Sequence, residues 1–268
     1  MYTPPGHGSL IRLLPEQIAF YEREGYLAID QISAPAELDQ LRRVYDDLFI
    51  RKVGRAEGNQ FDLAGADDDD QGEKLPQILQ LSDYAPDMRN TLAWRNAGSI
   101  MAQLLGCEPE RRRDHAILKP ARHGAATPWH QDEAYWSPAQ DHRSLSVWFA
   151  LQDVDEAMGC MQFVPGSHRF EVLRHRPIGN DIRVHGLELD DGAYDVRSSV
   201  SCPLRAGGCT VHSQRTLHFA PPNRSDHARR AWIMMGDMQP TPVAVARSFP
   251  WQDVQRTARA ERAGETVG

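Results

Sequence analysis

The sequence predicts a mainly β fold with a helical N-terminal layer, of the sandwich, jelly-roll or barrel type. Up to about residue 106, apolar residues recur at helical spacing. From about residue 113, short stretches rich in Val, Ile, Phe, Trp and Thr alternate with Gly and Pro turns. Neither an internal repeat nor a strong linker is evident. We therefore expect one domain over 1–268, with a mainly helical part at 1–110, a β core at 111–240 and a C-terminal extension at 241–268.

Residues that are typical of helix starts and ends predict the first two helices and the strand between them. A helix is predicted from Pro15 to a stop at Gly25, and Tyr26–Ile29 reads as a short strand. Ser33 is a candidate N-cap with Pro35 in the first turn of the next helix. The apolar residues that follow at helical spacing are Leu38, Leu41, Tyr45 and Leu48.

A polar segment separates these helices from a third one. Residues 53–74 contain four consecutive aspartates at 67–70, which predict a solvated, mobile loop rather than a cation site. The third helix is predicted at 86–105, ending at Gly106.

The β stretches of the second half are short and evenly spaced. They are predicted at 115–119, 144–151, 161–164, 196–202, 209–212 and 231–238. Along the first of them, Arg113, His115, Ile117 and Lys119 alternate with the other residues and share one face. If that face is the barrel interior, Lys119 reaches substrate or cosubstrate. The alternative places its ammonium in water at the mouth.

Composition and charge exclude several classes of protein. Lys plus Arg number 30 and Asp plus Glu 37, for a net charge of −7, which argues against a general binder of nucleic acid or anionic membranes. No apolar run approaches the roughly 18 residues that span a bilayer, and 1–14 does not resemble a signal peptide. The four cysteines form no CxxC pair. We expect reduced thiols in a cytoplasmic protein that acts on a small molecule, and the sequence leaves its oligomeric state open.

The segment 127–136 carries the first chemical signal. His130 and Asp132 are two residues apart, so on a strand they point to the same face and can hold one cation. A second histidine from a distant strand would complete a 2-His-1-carboxylate triad, which leaves open positions on iron. An HxD pair alone is a weak signal in a chain with 11 histidines.

A second signal lies at 218–232. His218 ends one β stretch, and Arg229 begins the next. Arginine binds a carboxylate through two parallel hydrogen bonds, so the pair suggests a metal ligand beside an anion site. His212 is the rival for the second histidine.

Four ordered segments resemble the phytanoyl-CoA dioxygenase family of iron(II)- and 2-oxoglutarate-dependent oxygenases. They are 129–136 (WHQDEAYW), 146–151 (SVWFAL), 158–168 (MGCMQFVPGSH), and His218 with Asn223, Arg224, Ser225 and Arg229. The resemblance implies a double-stranded β-helix core in which His130, Asp132 and His218 hold iron. It favours His218 over His212, because only His218 has the asparagine five residues on and the arginine eleven on.

The same resemblance implies roles for further residues. Arg229 would bind the distal carboxylate of 2-oxoglutarate, and Trp148 matches a position that lines the cosubstrate pocket. Some relatives carry a serine two residues after the distal histidine, where it helps to bind the cosubstrate. Here that residue is Ala220, so Arg229 would need another hydroxyl or a water molecule. Relatives that halogenate have a small residue where this chain has Asp132.

Substrate contacts are less constrained by the sequence. Tyr135 follows Asp132 by three residues and is the first candidate, with Gln131 and Trp136 as further ones. The segments 53–74 and 180–194 are candidate lids. Aromatic residues at such places also commonly pack the core.

The predicted activity couples oxidative decarboxylation of 2-oxoglutarate to C–H oxidation of a small organic substrate, with Fe(II), 2-oxoglutarate and O₂ as cofactors and cosubstrates. Hydroxylation is the expected outcome. Two alternatives stay open: a cupin-type metalloenzyme that does not use 2-oxoglutarate, and a non-catalytic β-barrel binding protein. The identity of the substrate does not follow from the sequence.

Overall fold

The computed structural model describes residues 10–67 and 72–264. The helices are α1 (Pro15–Glu24), α2 (Pro35–Ile50), α3 (Leu81–Tyr84), α4 (Leu92–Leu105), α5 (Pro250–Val254) and α6 (Ala258–Arg262). The strands are β1 (Tyr26–Ile29), β2 (Gln60–Asp62), β3 (Pro76–Leu79), β4 (Arg111–Lys119), β5 (Thr127–His130), β6 (Gln140–Asp141), β7 (Ser144–Ala150), β8 (Met161–Phe163), β9 (His175–Pro177), β10 (Leu187–Leu189), β11 (Val200–Cys202), β12 (Cys209–Ser213), β13 (His218–Ala220), β14 (Arg229–Asp237) and β15 (Thr241–Pro242). Short 3₁₀ turns occupy Pro86–Asn90, Asp132–Tyr135, Ser167–Arg169, Ile178–Asn180 and Val196–Ser198.

Two antiparallel sheets form the β core. The larger has the order β1-β12-β7-β14-β4-β3-β2, and the smaller has the order β11-β8-β13-β5. Side chains of both sheets line one cavity, with Trp148 and Ile233 from the larger and Met161 and His218 from the smaller. This is the predicted double-stranded β-helix, in which two sheets face each other around a site.

Helices α2 and α4 cover the outer face of the larger sheet. Along β7, Val147 and Phe149 point into the core shared with α2 and α4, whereas Ser146 and Trp148 face the cavity. Alternation along a strand therefore divides the sheet into a structural face and a functional face. The helical residues of this core include Leu41, Tyr45, Leu48, Ala97, Ile100 and Met101.

Both predicted glycine stops are confirmed. Gly25 (φ 80°) and Gly106 (φ 75°) end α1 and α4 in the left-handed conformation that glycine adopts without a steric penalty. Two helix starts differ from expectation. The N-cap of α2 is Ala34, not Ser33, and its backbone N–H donates to the Glu37 carboxylate (3.3 Å). The predicted third helix is broken before Thr91, whose hydroxyl accepts from the Trp94 N–H (3.2 Å) and caps α4.

The polar segment 53–74 is not wholly the solvated loop that its composition predicts. It contains the buried strand β2, and the Asp67 side chain is only 5% exposed. Arg55 (3.0 Å) and Arg262 both pair with the Asp67 carboxylate, so part of the segment is fastened to the protein. The other aspartates of the run, at 68–70, lie outside the described residues.

Each predicted β stretch contains a strand, but the predictions have two kinds of error. The first half of 196–202 is a 3₁₀ turn, and only Val200–Cys202 is a strand. The predictions also missed several strands, among them β9, β10 and β3, the last of which pairs with β4 and extends the larger sheet. The single-domain organisation stays a prediction. None of the helices within 10–67 and 72–264 is long and apolar enough to cross a membrane.

The buried carboxylate of Asp114 joins β4 to its neighbours. It accepts from the Trp232 indole N–H (2.7 Å), the Ser82 backbone N–H (3.2 Å) and the Ser82 hydroxyl (3.0 Å).

We expect Asp114→Ala to lower the free energy of unfolding by at least about 2 kcal/mol, because two buried N–H groups lose their acceptor. Urea denaturation would measure this. Asp39→Ala, which removes an exposed ion pair with Arg42, is the control and should cost about 0.5 kcal/mol or less. Equal losses for the two variants would contradict the structural role of Asp114.

Candidate active site

The two sheets enclose a cavity of about 450 Å³. Five histidines and the carboxylate of Asp132 line it, together with Arg113, Arg229 and Arg259. The loop between β9 and β10 and the helices α5 and α6 complete the wall. Polar groups therefore converge in a pocket of mixed apolar and polar lining, as is typical of small-molecule sites.

Three of the predicted residues meet at the centre of the cavity. One ligand atom each from His130, Asp132 and His218 lies within 4.8 Å of the others. The Asp132 Oδ1 atom is 3.7 Å from His130 Nε2 and 3.5 Å from His218 Nε2. The histidines face each other because β5 and β13 pair with His130 opposite His218. Two imidazoles and one carboxylate are the donor set that suits a non-haem iron(II) site with open positions.

Backbone carbonyls orient both imidazoles of this group. His130 Nδ1 is 2.7 Å from the Pro128 oxygen, and His218 Nδ1 is 2.9 Å from the Thr216 oxygen. An Nδ1–H that donates to a carbonyl leaves the Nε2 lone pair available to a metal. Burial lowers the pKa of both histidines, so the neutral form that a metal requires is favoured.

The spacing of His130 and Asp132 suggests that both lie on one strand, but Asp132 is held in the site by a turn. It is the first residue of the 3₁₀ turn Asp132–Tyr135, not a residue of β5. Its Oδ2 atom accepts from the Ser146 hydroxyl (2.9 Å), which turns Oδ1 towards the histidines. Burial raises the pKa of Asp132, but the histidines around it, His218 first, outweigh burial and hold the pKa well below its usual range.

His212 lies beside this group without belonging to it. It is on β12 in the larger sheet, and its Nε2 is 3.4 Å from Asp132 Oδ2, the oxygen that faces away from His130 and His218. Its ring packs against those of His218 (centroids 4.3 Å apart) and Phe163 (5.4 Å). The two rival histidines thus come from different sheets, and the close group of three contains His218.

Arg229 is a buried cation that faces the cavity. It is 1% exposed, and within 10–67 and 72–264 no carboxylate forms an ion pair with it. Its guanidinium makes only long contacts, to the carbonyls of Ile117 (3.4 Å) and Gly159 (3.5 Å), and lies 5.1 Å from the centre of the Trp148 ring. Burial lowers its pKa to about 10, so it remains charged at neutral pH. A buried charge without a counter-ion is costly, and an anionic ligand would supply one.

Lys119 lies neither in the cavity nor in water at its mouth, the two positions that the sequence left open. It is 0% exposed, so its ammonium is not in water at the mouth, and it is absent from the cavity wall. Its Nζ donates to the carbonyls of Ala220 (2.7 Å) and Pro221 (2.6 Å). This corrects its predicted contact with the cosubstrate. Lys119 instead fastens the end of β13, two residues beyond His218.

Of the three candidates for substrate contact, two line the cavity and one does not. Tyr135 and Trp136 line the cavity, whereas Gln131 is fully buried outside its wall. The Gln131 amide accepts from the Leu173 N–H (2.8 Å) and donates to the Arg215 carbonyl (2.8 Å). Gln131 is therefore corrected from a substrate contact to a support of the HxD segment.

Several residues of the site carry no motif and were missed. The His175 Nε2 accepts from the Gln131 backbone N–H (3.1 Å), between the two metal-ligand candidates of this segment. Gln252, Gln255 and Arg259 line the cavity from α5, α6 and the residues between them. Both candidate lid segments also reach the cavity, through Leu63 in one and His185 and Leu187 in the other.

Helices α5 and α6 and the residues between them form one side of the cavity, which we call the C-terminal wall. Hydrogen bonds hold this wall in place. Gln252 Nε2 donates to the Ala134 carbonyl (2.8 Å) beside the HxD segment, and Gln255 Nε2 donates to the Val184 carbonyl (2.9 Å) in the β9–β10 loop. Arg262 reaches the Gln60 carbonyl of β2 (3.2 Å). The predicted C-terminal extension is thus part of the site.

Comparison with known proteins agrees with this geometry. A family model described as Phytanoyl-CoA dioxygenase (PhyH) matches residues 21–231. The chain is 24% identical over 226 residues to a probable alpha-ketoglutarate-dependent hypophosphite dioxygenase of Stutzerimonas stutzeri, covering 84% of this chain and 78% of that protein. It is 26% identical over 236 residues to a probable phytanoyl-CoA dioxygenase of Caenorhabditis elegans, covering 82% and 73%.

Solved structures with the same architecture include EvdO2 from Micromonospora carbonacea var. aurantiaca complexed with 2-oxoglutarate. Its TM-score is 0.78 at 35% identity, covering 91% of this chain and 98% of that one. EctD from S. alaskensis, with 2-oxoglutarate and 5-hydroxyectoine, gives a TM-score of 0.69 at 17% identity, covering 91% and 86%. The second likeness concerns the fold alone.

Proposed function

This chain belongs to the phytanoyl-CoA dioxygenase family, and from that premise we propose that His130, Asp132 and His218 hold iron(II) while Arg229 binds the distal carboxylate of 2-oxoglutarate. The family and the 35% identical structure complexed with 2-oxoglutarate make the protein an iron(II)- and 2-oxoglutarate-dependent dioxygenase. The observation that carries the residue assignments is the buried guanidinium of Arg229, which has no ion pair among the described residues and lies in the cavity that also holds the His-Asp-His group.

The protein's own groups position and shield the reactants. Iron, 2-oxoglutarate and O₂ would supply the chemistry: the cosubstrate loses CO₂ to give succinate, and a C–H bond of the substrate is oxidised. Trp148, Met161 and Ile233 line the cavity as apolar neighbours and exclude water from the anion site. Exclusion of water strengthens the attraction between Arg229 and a carboxylate.

The substrate is proposed to be a small organic molecule whose C–H bond is hydroxylated. The cavity wall offers ring faces at Tyr135 and Trp136 and polar groups at Gln77, His185 and Gln252. Aromatic and hydrogen-bonding groups together can orient a molecule that has both apolar and polar parts.

A cytoplasmic location is proposed on the cysteine usage. Cys107, Cys160, Cys202 and Cys209 are all free thiols, and the last three are buried. Proteins of reducing compartments keep their cysteines in this form.

The experiment that tests the function is succinate release. Purified protein with Fe(II), O₂ and 2-oxoglutarate should release succinate, and a screen of small molecules should raise the rate when the substrate is present. A cupin-type enzyme that does not use 2-oxoglutarate would bind metal without releasing succinate, and a non-catalytic binding protein would show no turnover. Either outcome would reject the proposal.

Arg229→Ala should raise the Kd for 2-oxoglutarate at least about tenfold, because it removes charged hydrogen bonds worth roughly 1.5–3 kcal/mol each. Anaerobic calorimetry on the Fe(II) protein measures this. Arg230→Ala is the matched control, since the Arg230 guanidinium pairs with Asp46 (2.6 Å) outside the cavity wall. A larger loss for Arg230→Ala than for Arg229→Ala would show that the wrong arginine has been assigned.

A further inference from the structure

Two glutamines of the C-terminal wall, Gln252 and Gln255, present amide oxygens of fixed orientation. Gln252 Nε2 donates to two backbone carbonyls within 134–136 (both 2.8 Å), and Gln255 Nε2 donates to two carbonyls of the β9–β10 loop (2.9 and 3.0 Å). A side-chain amide has two N–H donors, so each NH₂ group is fully used. A flipped amide would set its oxygen against carbonyls that cannot donate, and this fixes which atom is the oxygen.

The oxygens of these two amides have no partner among the described residues. Neither Oε1 atom accepts a hydrogen bond within 10–67 and 72–264, although both side chains line the cavity. Both residues are partly exposed, so neither oxygen is sealed in the protein interior. The C-terminal wall therefore offers two hydrogen-bond acceptors to a molecule in the cavity, and that molecule must supply the donors.

Groups of the opposite polarity lie in the same part of the wall. The Tyr135 oxygen accepts from the Leu187 N–H (2.7 Å), which leaves the Tyr135 O–H as a donor. The His185 ring lies 5.8 Å from the Tyr135 ring, measured between centroids, and makes no hydrogen bond with the described residues. Burial lowers the pKa of His185 to about 3, so its neutral ring offers one donor and one acceptor. A molecule that fits this region must both donate and accept.

The charges of the cavity wall disfavour a charged substrate. The described wall contains three guanidinium groups and a single carboxylate, those of Arg113, Arg229, Arg259 and Asp132. An ammonium group would therefore meet an excess of like charge. A carboxylate would meet the lone pairs of the two amide oxygens, and Arg113 is not free to balance it because Asp237 already pairs with its guanidinium (2.6 Å). An uncharged molecule avoids both costs.

We propose that the substrate is an uncharged molecule with hydroxyl groups, two of which donate to the Oε1 atoms of Gln252 and Gln255. The inference rests on the proposed function and names the substrate class of that site. A hydroxyl has one donor and two acceptor lone pairs, so it can donate to an amide oxygen and accept from the Tyr135 O–H at the same time. The rings of Tyr135 and Trp136 offer apolar surface to the rest of the molecule.

The test is anaerobic calorimetric titration of the Fe(II)–2-oxoglutarate protein with three compounds that share one ring. Cyclohexanediol, cyclohexanediamine and cyclohexanedicarboxylate, each substituted on opposite ring carbons, are neutral, cationic and anionic at neutral pH. We expect the diol to bind with a Kd at least about tenfold lower than that of either charged compound, because it makes its hydrogen bonds without burying a charge. The dicarboxylate also tests Arg259, the remaining cation of the wall that could bind an anion.

Two substitutions remove the proposed acceptors and keep a donor for the carbonyls. Gln252→Lys and Gln255→Lys retain an N–H group for the backbone carbonyls but have no side-chain oxygen. Each should raise the Kd for the diol about two- to tenfold, the range for one neutral hydrogen bond. Gln239→Lys is the matched control, because Gln239 is exposed and lies outside the cavity wall, and it should leave this Kd unchanged.

A diol that binds no more tightly than the diamine or the dicarboxylate would overturn the inference, and so would a complete lack of diol binding. Wild-type affinity for the diol in both glutamine variants would overturn it too, as would equal losses for the diol and 2-oxoglutarate, which indicate a distorted cavity. The comparison of the three compounds on the wild type decides even if a variant does not fold. Absence of 2-oxoglutarate binding by the wild type would instead reject the proposed function.

Discussion

His218→Ala should lose iron(II) binding, with a Kd at least about a hundredfold higher, whereas His212→Ala should stay within about tenfold of the wild type. His218 offers its Nε2 within the group of three candidate ligands, and its removal leaves two. Loss of an outer-shell partner typically costs about 10- to 100-fold in metal affinity. His212 approaches only the outer oxygen of Asp132, at 3.4 Å, so we place His212→Ala at the lower end of that range. Equilibrium dialysis under anaerobic conditions measures both values.

The exposed His123 provides the control for a general loss of imidazole, and His123→Ala should bind iron as the wild type does. If His212→Ala lost iron and His218→Ala kept it, the assigned triad would be wrong.

Asp132→Ala should abolish product formation, because it removes the carboxylate of the three candidate ligands. The neighbouring Glu133 cannot take its place. Glu133 is 0% exposed, and its carboxylate is held by Arg215 (2.6 Å) and Arg247 (2.7 Å) on the far side of the turn. Succinate release and mass spectrometry of the product measure the loss once a substrate is known.

The same carboxylate excludes halogenation by the wild-type enzyme. As an iron ligand, Asp132 would fill the position that relatives with a small residue leave to a halide, and its negative charge would repel chloride. We expect an oxygenated or desaturated product and no chlorinated one, even in concentrated chloride. A chlorinated product would contradict the role of Asp132, and an unaffected Asp132→Ala variant would contradict the metal site.

The grouping of His130, Asp132 and His218 could be predicted, although part of the reasoning was incomplete. The spacing of His130 and Asp132 suggested a strand, whereas the fold uses a 3₁₀ turn and the Ser146 hydroxyl to aim the carboxylate. The three ligand candidates that the resemblance implies lie together in the structure, because the order of motifs along the chain survives such local changes. The choice of His218 over His212 rested on spacing to later residues, and the structure separates the two by sheet.

Some positions of site residues could not be predicted from the sequence, because they depend on strand register and on packing between distant segments. Thr127 lines the cavity together with His130, although regular alternation would place residues three apart on opposite faces of a strand. A bulge in β5, which is seen only from the pairing of Thr127 with Ala220, accounts for this. The burial of Lys119 and the outward direction of Gln131 depend on carbonyls far along the chain. Such contacts leave no periodic signal in the strand that carries the side chain.

The C-terminal wall has a consequence for how this enzyme can diversify. The family match ends at residue 231, yet Gln252, Gln255 and Arg259 border the same cavity as the metal-ligand candidates. Selection can therefore act on two separate stretches of the gene: one that preserves the oxidising centre, and a later one that alters which molecules fit beside it. Exchange of the later stretch between relatives offers a route to new substrate ranges in which His130, Asp132, His218 and Arg229 stay unchanged.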